Sequence, residues 1–215
     1  MQYAFQLLPH PNVRYQSALE KLGKAELQCM LLALDVFTEP RVESIGGTPF
    51  LTFECSALNE KALEQLSFLS SVYLWTRRDG EALIPLARPR ERYLPEEMAE
   101  VLKYKGKTNA AFTSLMLNLA RSQSAFFHEK RPLTVLDPLC GKGTTLYCAL
   151  AQGMHAVGLD RDRKDLKEAM DFVNRSLQNQ RIKHSLVQGS RSVPKGPAVP
   201  EATYTLADTR EHYQA

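Results

Sequence analysis

The stretch Thr134-Val135-Leu136-Asp137-Pro138-Leu139-Cys140-Gly141-Lys142-Gly143-Thr144-Thr145 decides how this chain is read. It opens as a short apolar strand, Leu133 to Leu136, turns through two glycines one residue apart, and runs into a helix from Thr144 to Gln152. Glycines at such a turn let the backbone approach a ligand closely and aim N–H groups at it. A second apolar run, Ala156 to Leu159, closes a β-α-β unit.

Three ligands compete for a loop of this kind. A nucleoside triphosphate requires G-x-x-x-x-G-K-S/T, but Leu136 stands at the first glycine position and Gly143 follows Lys142. A dinucleotide favours G-x-G-x-x-G, but Leu146 takes the third glycine position and Asp137, ahead of the loop, would repel a pyrophosphate. S-adenosylmethionine carries an ammonium and a sulfonium and no phosphate, so an acid at the end of the first strand becomes an asset. Its ribose hydroxyls suit a carboxylate at the end of the next strand. Asp160 sits there, 23 residues after Asp137, near the ~20-residue offset of a ribose-clasping acid in Rossmann-type units.

The run Asp137 to Thr145, followed by Val157-Gly158-Leu159-Asp160-Arg161-Asp162, resembles the cofactor motifs of class I RNA methyltransferases that methylate guanine N2 in rRNA or tRNA. Tyr104 to Asn109, before a helix, looks like the segment that family places beside the methionine end of the cofactor. Leu206-Ala207-Asp208-Thr209-Arg210 looks like its third motif, whose acid approaches the adenine amino group. The resemblance covers roughly residues 100–215. It implies S-adenosyl-L-methionine as cofactor, held by Thr108, Asn109, Asp137, Pro138, Leu139, Cys140, Gly141, Gly143, Thr144, Asp160, Arg161 and Asp208. It implies a nucleic-acid partner, RNA before DNA, methylated at an exocyclic amine.

Two departures stand out. Lys142 replaces the small polar residue usual between the glycines and adds a positive charge near a cationic cofactor. The family's Asp/Asn-Pro-Pro-Tyr/Phe motif, which accepts hydrogen bonds from the target amine after the fourth strand, has no counterpart, since the chain contains no Pro-Pro pair and ends seven residues beyond Asp208. No catalytic residue is therefore assigned. The expectation is an N-terminal part of a Rossmann-like methyltransferase sheet, whose first strand presents an open apolar edge for a partner chain or a further segment to complete. The alternatives are a non-catalytic S-adenosylmethionine- or nucleic-acid-binding accessory module, and a DNA amino-methyltransferase.

Outward from the loop, residues 163–177 form an amphipathic helix with Leu166, Ala169, Met170, Val173 and Leu177 on one face and Lys164, Lys167, Asp171 and Arg175 off it. Gly189 to Ala202 reads as a long exposed loop, and Tyr204 to Leu206 as a third strand of the sheet. Upstream, a helix spans Ala110 to Phe127, and Pro95-Glu96-Glu97 opens another. Arg88, Arg90 and Arg92 mark a solvated linker, so the domains are expected at 1–92 and 93–215. The first reads as βα-ββ-α-ββ: an apolar strand, a helix with Leu27, Met30, Leu31 and Leu34, a hairpin at Gly46-Gly47, a second helix, and a hairpin at Asp79-Gly80. That order suits a small α+β domain with helices on one face of an antiparallel sheet, where such methyltransferases often carry RNA-binding or substrate-positioning parts.

Composition sets the bounds. The chain has 215 residues, 44% of them hydrophobic and 24% charged, and a net charge of +3 that allows a polyanionic partner without requiring one. No apolar run approaches the ~20 residues of a membrane helix, and the N-terminus shows no secretory signal. A cytoplasmic protein is expected. Cys29, Cys55, Cys140 and Cys148 fit neither a redox pair nor a zinc knuckle, and the five histidines show no ligand spacing. No metal is expected, and Cys140 reads as a small thiol packed under the loop.

Overall fold

The computed structural model describes residues 1–8, 13–87, 94–95, 98–101, 104–194 and 196–207. The chain is mixed α/β and divides into two compact units, one comprising residues 1–140 and 144–159, the other residues 141–143 and those from Asp160 onward. The boundary expected at residue 92 lies outside the described residues.

The first unit begins with β1 (Gln2–Leu7), α1 (Val13–Ala33), β2 (Arg41–Ile45), β3 (Thr48–Glu54), α2 (Glu60–Leu66), β4 (Val72–Asp79) and β5 (Ala82–Pro85). This is the element order read from the sequence. The strands form one five-stranded sheet in the order β2-β3-β1-β4-β5, with antiparallel neighbours throughout. The β2–β3 turn depends on Gly46 and Gly47, both at positive φ (58° and 81°). That geometry matches the right-handed twist of the strands it joins.

Alternation along β1 turns Tyr3, Phe5 and Leu7 to one face, where Tyr3 lies opposite Phe53 and Phe5 lies between Leu51 and Trp75. Tyr3 stacks on Phe53 at 5.2 Å, and Phe5 meets the same ring edge-on at 5.2 Å. Leu27, Met30 and Leu31, at helical spacing on α1, cover this face and are wholly buried. Leu66 of α2 joins them, and the Trp75 indole donates to its carbonyl oxygen at 3.0 Å. On the reverse face Ala4 and Thr76 fill the middle of the sheet, with the Thr76 hydroxyl donating to the Ala4 carbonyl oxygen.

The same unit continues with α3 (Met98–Val101), α4 (Ala110–Ser122), β6 (Thr134–Asp137), α5 (Thr144–Ala151) and β7 (His155–Gly158). The Asn109 side-chain oxygen caps α4 by accepting from the Phe112 N–H at 3.0 Å. A buried polar cluster joins α4 to α1. Both oxygens of Glu26 accept from the Ser70 N–H (3.0 and 3.1 Å), one accepts from the Ser70 hydroxyl (2.7 Å), and the Asn118 amide donates to Glu26 (2.6 Å) and to the Phe68 carbonyl (2.7 Å).

β6 and β7 run parallel, Thr134 opposite His155 through Asp137 opposite Gly158. α5 packs against this pair, while Leu136, Val157 and Leu159 are 59%, 46% and 55% exposed. Among the described residues β6 pairs with β7 only.

The second unit holds α6 (Arg163–Asn179), β8 (His184–Arg191) and β9 (Val199–Leu206). Here the structure corrects two expectations. Tyr204 to Leu206 belongs to β9, which pairs antiparallel with β8 in a sheet of its own and adds no third strand to β6 and β7. Half of the loop expected over 189–202 is strand of this ribbon, with Gly189 opposite Glu201 and Arg191 opposite Val199. Both faces of its outer half are exposed, so no alternation of apolar and polar residues marked the strands. Among the described residues no helix is long and apolar enough to cross a membrane.

Glu26 yields a prediction. Burial outweighs its hydrogen bonds and raises its carboxyl above the ordinary 4.5. An acid with a raised folded-state pKa binds protons more tightly in the folded than in the unfolded chain, so stability falls as pH climbs from 4.5 through the raised value. Urea unfolding of wild type and Glu26→Gln over that range should show the wild type losing stability relative to the variant by about 1.4 kcal/mol per pH unit. Parallel pH profiles would refute it.

Candidate functional site

The glycine loop is tied down from both strands that flank it. The Asp137 side chain accepts from the Leu139 N–H at 3.0 Å, a local turn that an aspartate forms readily. Leu159, just past β7, donates its N–H to the Asp137 carbonyl and accepts the Cys140 N–H, each at 2.9 Å. Cys140 is buried at 7% exposure. Its thiol packs so close to β7 that a Cβ on Gly158 would lie 2.8 Å from Cys140 Sγ and 2.6 Å from Leu146 Cδ1. Pro138 and Leu139 face solvent, Leu139 at 82% exposure. Thr144, the first residue of α5, is buried and shares a 3.2 Å hydrogen bond with the Tyr104 hydroxyl.

Gly141 and Gly143 both sit at positive φ (52° and 87°), a backbone region that side-chain-bearing residues rarely enter. The N–H of Gly141 is directed at Asp160, donating to Oδ2 at 2.7 Å, while Oδ1 of the same carboxylate accepts from the Asp162 N–H at 2.8 Å. These backbone donors, Asp162 first and Gly141 next, hold the Asp160 carboxyl below its ordinary range. It therefore stays ionised to lower pH, and its contribution to holding the loop is lost only as pH falls through that lowered value. With Arg161 as a third, weaker backbone donor, about one of the roughly four lone-pair sites of the carboxylate is left.

Lys142 turns onto α6. Its ammonium pairs with Glu168 and lies 3.7 Å from Asp165, with 14% of the side chain exposed. The hydrogen bond to Glu168 raises the Lys142 pKa and lowers that of Glu168. The loop's one lysine is thus neutralised by two acids that sequence reasoning did not single out. They lie 23 and 26 residues away, on the flank of a helix, with no local signal to connect them.

The other residues named from the sequence fall into place separately. Asn109 serves as the α4 cap, Thr108 and Arg161 are exposed, and Asp208 lies outside the described residues. Among the described residues no group of three or more histidine, cysteine or acidic side chains could hold a metal. Comparison with protein-family models, curated proteins and solved structures finds no match to this chain.

The close approach of Gly158 to Cys140 is testable. Gly158→Ala should destabilise the fold by about 1–3 kcal/mol, the usual cost of overpacking. Adding Cys140→Ala should recover part of the loss in urea unfolding. A Gly158→Ala variant as stable as wild type would show that the loop does not rest on β7 in this way.

Proposed function

We propose that the Asp137 to Gly143 loop and Asp160 bind S-adenosylmethionine. In this reading the chain is a cytoplasmic, Rossmann-like cofactor-binding part of a class I methyltransferase that acts on nucleic acid, RNA before DNA, at an exocyclic amine such as guanine N2. The observation that carries this choice is the fate of Lys142. A loop built for phosphate keeps a cation for its ligand, whereas this lysine is engaged by Glu168 and Asp165. Two carboxylates stand there instead, Asp137 at the end of β6 and Asp160 two residues past β7, and acceptors of that kind suit a cation with ribose hydroxyls.

Under this reading Asp137 receives the ammonium end and Asp160 the ribose hydroxyls, using the acceptor capacity left beside its backbone N–H partners. Pro138, Leu139, Cys140, Gly141, Gly143 and Thr144 shape the backbone that meets the cofactor, Thr108 and Asn109 lie at its methionine end, Arg161 flanks the ribose, and Asp208 takes the adenine amine. When bound, the cofactor supplies an electrophilic methyl group on its sulfonium. The contribution of the protein is to hold its ligands in place for a direct displacement. A second reading keeps the same loop in an accessory module that binds S-adenosylmethionine or nucleic acid without transferring methyl.

Titration calorimetry with S-adenosylmethionine and its demethylated product tests the cofactor assignment. Asp160→Ala should weaken binding roughly tenfold or more, as expected for losing hydrogen bonds to a charged group. Equal binding by wild type and variant would remove Asp160 from the site. No binding by the wild type would overturn the cofactor itself.

Among the described residues β6 pairs along one edge only, and with the exposed Leu136, Val157 and Leu159 this supports a related proposal, because parallel strands are ordinarily covered on both faces. A further strand, from a partner chain or a continuation of the polypeptide, completes this sheet. The purified chain should self-associate in light scattering and exchange its amides over 133–136 rapidly when held monomeric. A stable monomer protected at those amides would defeat this proposal.

A further inference from the structure

The outer face of α6 carries a charge pattern that the cofactor reading leaves unused. Arg163, Lys164, Lys167 and Arg175 are all exposed and share about a third of the helix circumference at 3.6 residues per turn. Arg161, just before the helix, and Arg181, just after it, extend the row and are exposed as well. The acids of the same segment have partners off this face, Glu168 alone also lying within electrostatic reach of Lys164. Asp165 and Glu168 sit on the flank of α6 and face Lys142. Asp160 accepts the N–H groups of Gly141 and Asp162, and Asp162 caps the helix by accepting from the Lys164 and Asp165 N–H groups. Asp171 is the helix's one carboxylate left among the cations. Among the described residues no carboxylate lies within ion-pair distance of any of the six.

We propose that this row is a docking surface for the phosphate backbone of single-stranded RNA. Its choice of polymer rests on the nucleic-acid reading given above, while the surface itself follows from charge. The row runs along a helix of 17 residues, about 25 Å at 1.5 Å per residue, so several successive phosphates can be met along one line. A protein partner would call for apolar anchors at the centre of the contact, and the exposed arc of α6 has none. An anionic membrane would call for an apolar face available for insertion, but Phe172 and Leu177 of α6 are buried. A polar, strongly basic surface is what nucleic-acid interfaces share.

The test measures binding of a mixed-sequence single-stranded RNA by fluorescence anisotropy over a range of salt concentrations. It compares wild type, the triple variant Lys164→Gln, Lys167→Gln and Arg175→Gln, and a control of equal net charge, Lys21→Gln, Lys61→Gln and Lys130→Gln. Glutamine keeps helix propensity close to that of lysine and arginine. The α6 variant should bind more weakly, with a log-log salt slope shallower by about 2, from three lost phosphate contacts at ~0.7 each. The control should match wild type, and calorimetric S-adenosylmethionine binding should be unchanged in all three. If wild type binds RNA and the α6 variant keeps its affinity and slope, the docking surface is wrong while the nucleic-acid reading stands. If wild type binds no RNA, that reading fails with it. If the α6 variant loses binding only to vesicles of anionic phospholipid, the row serves a membrane and the proposal is overturned.

Discussion

The first unit depends on a carboxyl group removed from solvent. Glu26 is wholly buried on α1, and the donors that satisfy it come from two other places, the turn before β4 and the middle of α4. Burying such a group is costly unless its hydrogen bonds are complete. Completing them fixes where α4 lies along α1 and where the turn before β4 sits. Apolar contacts alone tolerate sliding of one helix over another, whereas a hydrogen-bonded carboxylate accepts one register. Since α5 packs on α4 and β6 and β7 on α5, the position of the strands that carry the loop traces back through this cluster.

The glycine loop has a similar economy of charge. Its acid at Asp160 is answered by backbone N–H groups and its lysine by side chains of α6. The interactions that shape the loop therefore fix where its charged groups point. For the cofactor proposed at Asp160, an oxygen already oriented by Gly141 and Asp162 would reduce the ordering that binding must still accomplish. The same pairing of Lys142 engages two acids on the flank of α6.

Much of this was legible in the sequence because local rules and tertiary needs agreed. The glycine pair 46–47, the helical spacing of Leu27, Met30 and Leu31, and the strand-loop-helix around Asp137 each act over a few residues, and the elements lie where those patterns put them. The ribbon of β8 and β9 was missed for a physical reason. Its strands bury too little to show a period of two, and its pairing is held by backbone groups that every sequence possesses. The site was legible in its backbone and less so in its partners. The acids at the strand ends and the glycines at positive φ could be named, but the turning of Gly141 onto Asp160 and of Lys142 onto α6 depends on contacts made only after folding.

The ribbon also has a bearing on how the chain could vary. The β8–β9 ladder pairs residue for residue from His184 with Leu206 at its base to Arg191 with Val199 at its outer end. Only the base is partly covered, with the Tyr204 hydroxyl donating to the Met170 carbonyl of α6 at 3.3 Å. Among the described residues the rungs beyond the base are exposed and close no core, so they open locally without disturbing the helix behind them. Removing or adding residues in matched pairs at the outer end would leave the register at the base intact. Length at this place is therefore free to drift between related chains, while length between Asp160 and Phe172 is not.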